Sequence, residues 1–283
     1  MIVSRIKHSI GWRIDSTRWR ITKLVLRGAV YRGHKKISAM MRVRNEQEFL
    51  DPSVRSIVDL VDEVVIVDNL SDDRTPEIID KLVRDFPGKV RSFTYRHKIA
   101  RYGDENRRLA ATPEGLKSPS LLANFYNWCL ARCRYPFILK WDGDTIATAE
   151  FARAIERFRA CPAQILSHVG ANLHEDGVSL IAGRPLEEME PRLFFRRFAS
   201  YDNALGYCET LQSPYLRDND ERYIRRYPAP VYVHMKFCKP DRFANMSSDL
   251  EASERSNNRP GPAASPDVLE AVARWKLRPR SPD

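Results

Sequence analysis

Through the middle of the chain, short apolar runs alternate with stretches whose apolar residues recur every three or four positions. That pattern predicts strands alternating with amphipathic helices. Residues 36–43 (KISAMMRV) read as a first strand running into Arg44-Asn45-Glu46. Asp51-Pro52 opens a helix over 53–60, since proline is tolerated in a first helical turn. Residues 63–67 (EVVIV) are apolar throughout after the opening Glu63, as a parallel strand covered on both faces requires. A helix follows over 76–85 with Ile78, Ile79, Leu82 and Val83 inward, then a third strand over 90–95. Residues 97–119 show no clear period and carry Gly103, Pro113, Gly115 and Pro119. A loop of that length inside a compact domain is usually functional or disordered. A helix over 120–132 leads into the apolar run 137–141 (FILKW). Such alternation implies right-handed crossovers and a mainly parallel sheet.

Beyond Glu150 the order changes. Residues 151–158 read as a helix, and 164–169, 178–181, 192–195 and 230–238 (PVYVHMKFC) as shorter strands. They predict the second half of one domain rather than an independent fold. From 249 to 266, Ser, Asn, Pro and Gly dominate and predict a linker or disordered tail, with a short helix over 268–277. The expected division is an arm (1–36), a domain (37–245, with halves 37–150 and 151–245) and a tail (246–283).

Charge changes the picture at one end. Ten of the 47 Lys and Arg residues fall within residues 1–36, against a single Asp. The remainder is close to neutral, which argues against nucleic acid as a partner of the folded domain. Within the arm Ile2, Ile6, Ile10 and Ile14 recur every four residues beside Trp12 and Trp19. A basic amphipathic helix of this kind suits an anionic membrane surface; a helix packed on the domain with its charges in water is the other reading. No apolar run approaches 18 residues, and Arg5, Lys7 and Arg13 interrupt any signal-peptide core. Five cysteines without a CxxC pair imply reduced thiols. The expected location is cytoplasmic, with the arm allowing peripheral attachment to the cytoplasmic face of a membrane.

Candidate chemistry gathers where the run 137–141 ends, at Asp142-Gly143-Asp144. Side chains two apart on an extended backbone point the same way. Both carboxylates can therefore converge at a strand end, where open α/β sheets bind ligands. Two hard oxygen ligands that leave open positions suit Mg²⁺ or Mn²⁺ shared with a substrate's phosphates. Asp-Gly is also a common turn pair, so the tripeptide alone fits a plain polar turn equally well.

The landmarks upstream decide between these readings. The first strand ends in Val-Arg-Asn-Glu (43–46) and the second in Asp-Asn-Leu-Ser-Asp-Asp-Arg-Thr (68–75). Asn127 stands fifteen residues before Asp142 on the preceding helix. Together with Asp142-Gly-Asp144 these resemble family 2 glycosyltransferases of the GT-A fold: the opening strand, the D-x-x-S-x-D-x-T pattern, the spaced Asn and the D-x-D motif, in that order. The resemblance covers about 37–150 well and about 150–240 loosely. Cys129, where the family commonly has a small residue, Trp141 and the 97–119 loop mark a subgroup.

The resemblance implies a GT-A type α/β fold, a doubly wound, mainly parallel sheet flanked by helices. A Rossmann-like nucleotide-binding half would precede an acceptor half. It implies metal-dependent, inverting transfer from a nucleoside-diphosphate sugar, a UDP-sugar being favoured. The acceptor would be a glycan or lipid-linked saccharide in cell-surface polysaccharide synthesis. Asp144 would coordinate the Mn²⁺ or Mg²⁺ ion most directly, and Asp142 would contact the ribose or reach the metal through water. Asp68 would accept a hydrogen bond from the base, Arg44, Asn45 and Glu46 would line the nucleotide pocket, and Asn127 would join the nucleotide-sugar site. For Asp73, ligand contact and a helix N-terminal carboxylate are both open. His234, in the run 231–236, is by itself as much a packed core histidine as a ligand; the resemblance offers it as a further metal ligand, with Lys236 to offset diphosphate charge. Inversion needs a general base. Among the acidic residues the resemblance points to Glu190, with Glu188 behind it and Asp218 and Asp220 as outsiders; a solvated acidic turn paired with Arg192 and Arg196 is the other reading of the same stretch.

Two other classes are weighed against this one. A sugar nucleotidyltransferase opens with a Gly-rich, Arg-containing phosphate loop, whereas residues 43–48 hold no glycine. A non-catalytic membrane-surface scaffold on a degenerate GT-A fold is disfavoured by the intact D-x-D.

Overall fold

The computed structural model describes residues 30–216, 221–239 and 246–275. The chain separates into two compact units, Met1–Arg32 and Gly33–Asp283. Nearly all of the first, and with it most of the basic arm expected over 1–36, lies outside the described residues.

The second unit runs β1 (Ile37–Val43), α1 (Leu50–Ile57), β2 (Glu63–Asp68), α2 (Thr75–Asp85), β3 (Val90–Thr94), α3 (Asp104–Ala110), α4 (Leu122–Leu130), β4 (Phe137–Asp142), β5 (Thr145–Ala147), α5 (Ala149–Ala160), β6 (Ile165–Asn172), β7 (Ser179–Ile181), β8 (Glu190–Phe195), β9 (Ser200–Asp202), β10 (Thr210–Gln212), β11 (Ile224–His234), α6 (Ser248–Asn257), β12 (Pro260–Ala263) and α7 (Pro266–Arg274). Single 3₁₀ turns stand at Gly115–Lys117 and Lys236–Cys238. Among the described residues no helix is long and apolar enough to cross a membrane.

Eight strands form one sheet in the order β3-β2-β1-β4-β8-β6-β11-β5. The pairs β3–β2, β2–β1, β1–β4 and β6–β11 are parallel. The pairs β4–β8, β8–β6 and β11–β5 are antiparallel. This is the expected α/β sheet flanked by helices, mainly parallel, with β8 running against its neighbours to join the two halves. The first half reverses its strand order between β1 and β4, the switch point at which doubly wound sheets open a crevice at the carboxyl ends of their strands.

Burial follows the sequence pattern. Every residue of β2 is buried, because helices cover a parallel strand on both faces. Helix α1 buries Leu50, Ser53, Val54 and Ile57, one face of a 3.6-residue period. Trp141, fully buried beside the rings of Phe151 and Tyr232, donates its Nε1–H to Ser53 Oγ at 3.1 Å. Ser53 Oγ in turn donates to the Asp142 carbonyl at 3.1 Å. One buried indole and one serine thus fix the end of β4.

Two segments differ from expectation. Residues 97–119 are no open loop: they contain α3, and Asn106, fully buried, donates to Asn203 Oδ1 at 3.2 Å and the Gly206 carbonyl at 2.9 Å. A seven-residue helix whose buried anchor is polar has no hydrophobic period to read. Nor is 249–266 a linker. Strand β12 pairs with β7, and α7 buries Val268, Ala271 and Val272 against Phe49, Ile146, Val233 and Met235. Gly261 makes the pairing possible, since a Cβ there would lie 2.5 Å from Ala182 Cα. The described part of the expected tail therefore belongs to the same compact unit as the domain.

Candidate active site

A cavity of about 640 Å³ opens at the carboxyl ends of β1 and β4, where the strand order reverses, and reaches the end of β11. Arg44, Glu46, Asp142, Asp144, Glu190 and His234 from the sequence reading all line it. Lys98, Arg101 and Tyr102 of the 97–119 segment form part of its wall.

Its floor is a row of alternating charges. Lys239, nearly buried, donates to Glu46 at 2.7 Å and lies 3.0 Å from Asp144 Oδ2. Asp144 Oδ1 faces His234 Nε2 at 3.3 Å, and His234 Nδ1 meets Glu187 Oε1 at 2.6 Å. Arg192 donates to Glu187 at 2.9 Å and to Asp142 Oδ2 at 2.8 Å. Asp142 Oδ1 accepts from Arg42, its register partner on β1. Each internal member of the row lies between two opposite charges. Beside it, Lys140 stands 3.3 Å from Glu209 and 3.9 Å from Glu190.

The electrostatics follow from this packing. Burial alone would push all three inner carboxyls up. Arg192 and Arg42 outweigh it at Asp142, Lys239 and His234 at Asp144, and His234 and Arg192 at Glu187; each carboxyl is held well below the usual range. Burial opposes charge on His234, but Glu187 and Asp144 win and raise it to about 10. His168 is the opposite case. It is fully buried with neither ring nitrogen hydrogen-bonded, and burial, aided by Arg192, lowers it to about 3.

Asn45, Asn127 and Glu188 do not line the cavity. Asn45 takes the left-handed turn after β1 (φ 56°), which Asn tolerates, and pairs with Asp72 through both its amide groups. Asn127 is spent on the Tyr201 backbone, donating to its carbonyl at 2.7 Å and accepting from its N–H at 2.8 Å. Glu188 points to solvent, its side chain 87% exposed, 3.9 Å from Arg184. Asp68 is buried at the end of β2 with Oδ1 lacking a hydrogen-bond partner, next to Asn69 of the cavity wall. The rest of its motif clasps the turn after β1. Ser71 Oγ accepts from Asn45 N–H, Asp73 from Gln47 and Thr75 N–H, and Thr75 Oγ1 from Glu46 N–H. Asp218 and Asp220 lie outside the described residues.

Sequence reasoning passed over Arg42, Glu187 and Lys239, and named Arg192 only as a partner of the acidic turn, a pairing it makes with Glu187 and Glu190. Arg42 and Arg192 carried a signal, a charge inside an apolar strand, which burial permits only with a partner. Lys239 carried none.

A divalent cation can be tested against this donor set. Among the described residues no group of three His, Cys, Asp or Glu side chains forms a ready-made cage. Neighbouring ligands of an octahedral ion with bonds of ~2.1 Å stand ~3 Å apart, close to the 3.3 Å between Asp144 Oδ1 and His234 Nε2. Glu187 behind Nδ1 is the outer partner that ligating histidines ordinarily have. Asp144 Oδ1 and His234 Nε2 have the spacing of two such ligands, and an ion between them would take the place of the Nε2 proton, with Lys239 remaining on Asp144 Oδ2; Asp142 is closed off on both oxygens by the two guanidiniums of Arg42 and Arg192.

No curated protein matches the sequence. Similar solved structures include S. aureus TarS with UDP, at 13% identity and TM-score 0.43, covering 70% of this chain and 60% of that one. This chain therefore spans less than two thirds of the TarS fragment. Glucosyl-3-phosphoglycerate synthase from Mycobacterium tuberculosis, with Mn²⁺, UDP and phosphoglyceric acid, is similar at 17% identity and TM-score 0.42, covering 88% and 84%. Residues 38–104, from β1 to the first residue of α3, match the model described as Glycosyl transferase family 2.

Proposed function

We propose that the cavity binds a nucleoside-diphosphate sugar, with UDP as the favoured carrier, and transfers the sugar with inversion to a saccharide or lipid-linked acceptor. The observation that carries this reading is the meeting of Asp144, His234 and Lys239 at one point of the cavity, at the carboxyl ends of the strands. Asp144 and His234 would hold a Mg²⁺ or Mn²⁺ ion, which supplies positive charge to the departing diphosphate. Lys239 adds fixed positive charge beside Asp144. Asp68, with its unmatched buried oxygen, would accept from a base N–H. Glu190, at the cavity mouth with its side chain 43% exposed, is the base that takes the acceptor hydroxyl's proton. The basic arm would bring the enzyme to an anionic membrane surface bearing such acceptors.

The test is thermal stability with a panel of nucleoside diphosphates, with and without Mn²⁺. A ligand that binds only the folded protein raises the melting temperature. The expected result is a rise with UDP that needs Mn²⁺ and disappears in Asp144→Asn. No rise with any nucleotide in a folded sample overturns the reading.

A further inference from the structure

Glu187, Glu188 and Glu190 stand within four residues, yet they part company in space. Their side chains are 14%, 87% and 43% exposed. Only Glu187 is turned into the wall beneath the cavity, and both its oxygens are taken. Oε1 faces His234 Nδ1 at 2.6 Å; Oε2 accepts from Arg192 at 2.9 Å and from the Tyr232 hydroxyl.

Arg192 and Tyr232 are themselves fixed. Tyr232 is fully buried against the rings of Trp141 and His168. Its ring occupies the space where a Cβ of Gly170 would stand, 1.9 Å away. The Glu187 N–H donates to the Gly170 carbonyl at 2.9 Å, so backbone and side chain are held at the same place. Arg192 is anchored at its other end by Asp142. A carboxylate present only to neutralise Arg192 would not need to reach a histidine. This one ends against Nδ1, which leaves Nε2 as the nitrogen presented to Asp144.

We propose that Glu187 is a positioning residue: held by Arg192 and Tyr232, it sets the His234 ring with Nε2 toward Asp144 and so builds the protein's share of the cation site. The inference rests on reading the cavity as a metal-assisted donor site. Outer partners of this kind typically change metal affinity 10- to 100-fold when replaced.

The experiment compares the wild-type chain with Glu187→Gln and His234→Ala. Mn²⁺ binding is measured in the presence of UDP from the loss of the free-ion paramagnetic resonance signal, and UDP binding is measured separately in chelator. Glu187→Gln keeps the shape of the side chain and removes its charge. The expected result is an Mn²⁺ Kd raised by about 10- to 100-fold in that variant, with metal-free UDP binding unchanged. If Glu187→Gln does not fold, Tyr232→Phe removes one donor to Glu187 while keeping its charge, and a several-fold rise in Mn²⁺ Kd is expected. A wild-type Mn²⁺ Kd in the Glu187 or Tyr232 variant, beside loss in His234→Ala, overturns the positioning role and leaves the donor-site reading intact. Equal weakening of Mn²⁺ and metal-free UDP binding also overturns it, since that marks a general collapse of the pocket. Wild-type protein that takes up no Mn²⁺ beside UDP overturns both.

Discussion

Arg192 spreads one buried guanidinium over Asp142, Glu187 and Glu190, at 2.8, 2.9 and 3.2 Å. Burying that many charges is costly, and removing one partner leaves the others unpaired in a poor solvent for ions. Arg192→Met is therefore expected to lower unfolding free energy by about 3–5 kcal/mol, read from urea denaturation. Glu188→Ala, at the exposed pair, should change it by no more than about 0.5 kcal/mol. His168 supports a prediction with a pH sign. Its folded value of about 3 lies below the ordinary 6.5, so the unfolded chain binds a proton that the folded one refuses. Stability from this group is full above pH 6.5 and is lost as pH falls toward 3. His168→Leu should flatten that part of the stability profile and raise stability at neutral pH, because an unpaired buried polar group costs about 1–3 kcal/mol. At this scale Asp144, named for its spacing at a strand end, and His234 and Glu190, named by the resemblance, all line the cavity. Lys239 was not legible in the sequence, because its partner Glu46 lies 193 residues away in the chain and no local pattern announces such a meeting.

Among the elements, those with a strong period were readable and the polar or glycine-bearing ones were not. Continuous apolar β2 and amphipathic α1 and α2 lie within a few residues of expectation. Strand β12, Pro-Gly-Pro-Ala, offers no β-forming residue at all and exists because β7 supplies the partner edge. The packing of α7, which follows β12, is testable by truncation after Ala264. A disordered tail could be removed without effect. Loss of α7 instead uncovers Phe49, Ile146, Val233 and Met235, and the melting temperature should fall by the equivalent of several kcal/mol at ~1.5–3 kcal/mol per large apolar side chain. Ser53→Ala tests the other end of the fold. It removes the acceptor for Trp141 Nε1 and the donor to the Asp142 carbonyl, and should cost about 1–3 kcal/mol.

At the scale of the molecule, charge is divided between an arm with ten Lys and Arg and a body close to neutral. Gly33–Asp283 forms a compact unit of its own. A chain beginning at Gly33 is expected to keep the Mn²⁺-dependent response to UDP and to lose sedimentation with phosphatidylserine vesicles at low salt. Equal sedimentation with and without the arm would place any membrane contact elsewhere. The charged floor of the cavity also bears on how this protein could change over time. From Glu46 to Arg42 each internal member of the row is shared by two neighbours of opposite sign. A lone substitution leaves each neighbour with one opposite charge fewer, so single steps away from this sequence cost stability. Relatives should therefore exchange these positions in matched sets, and a library randomised across them should yield folded members that differ from the parent at two or more adjoining links rather than at one.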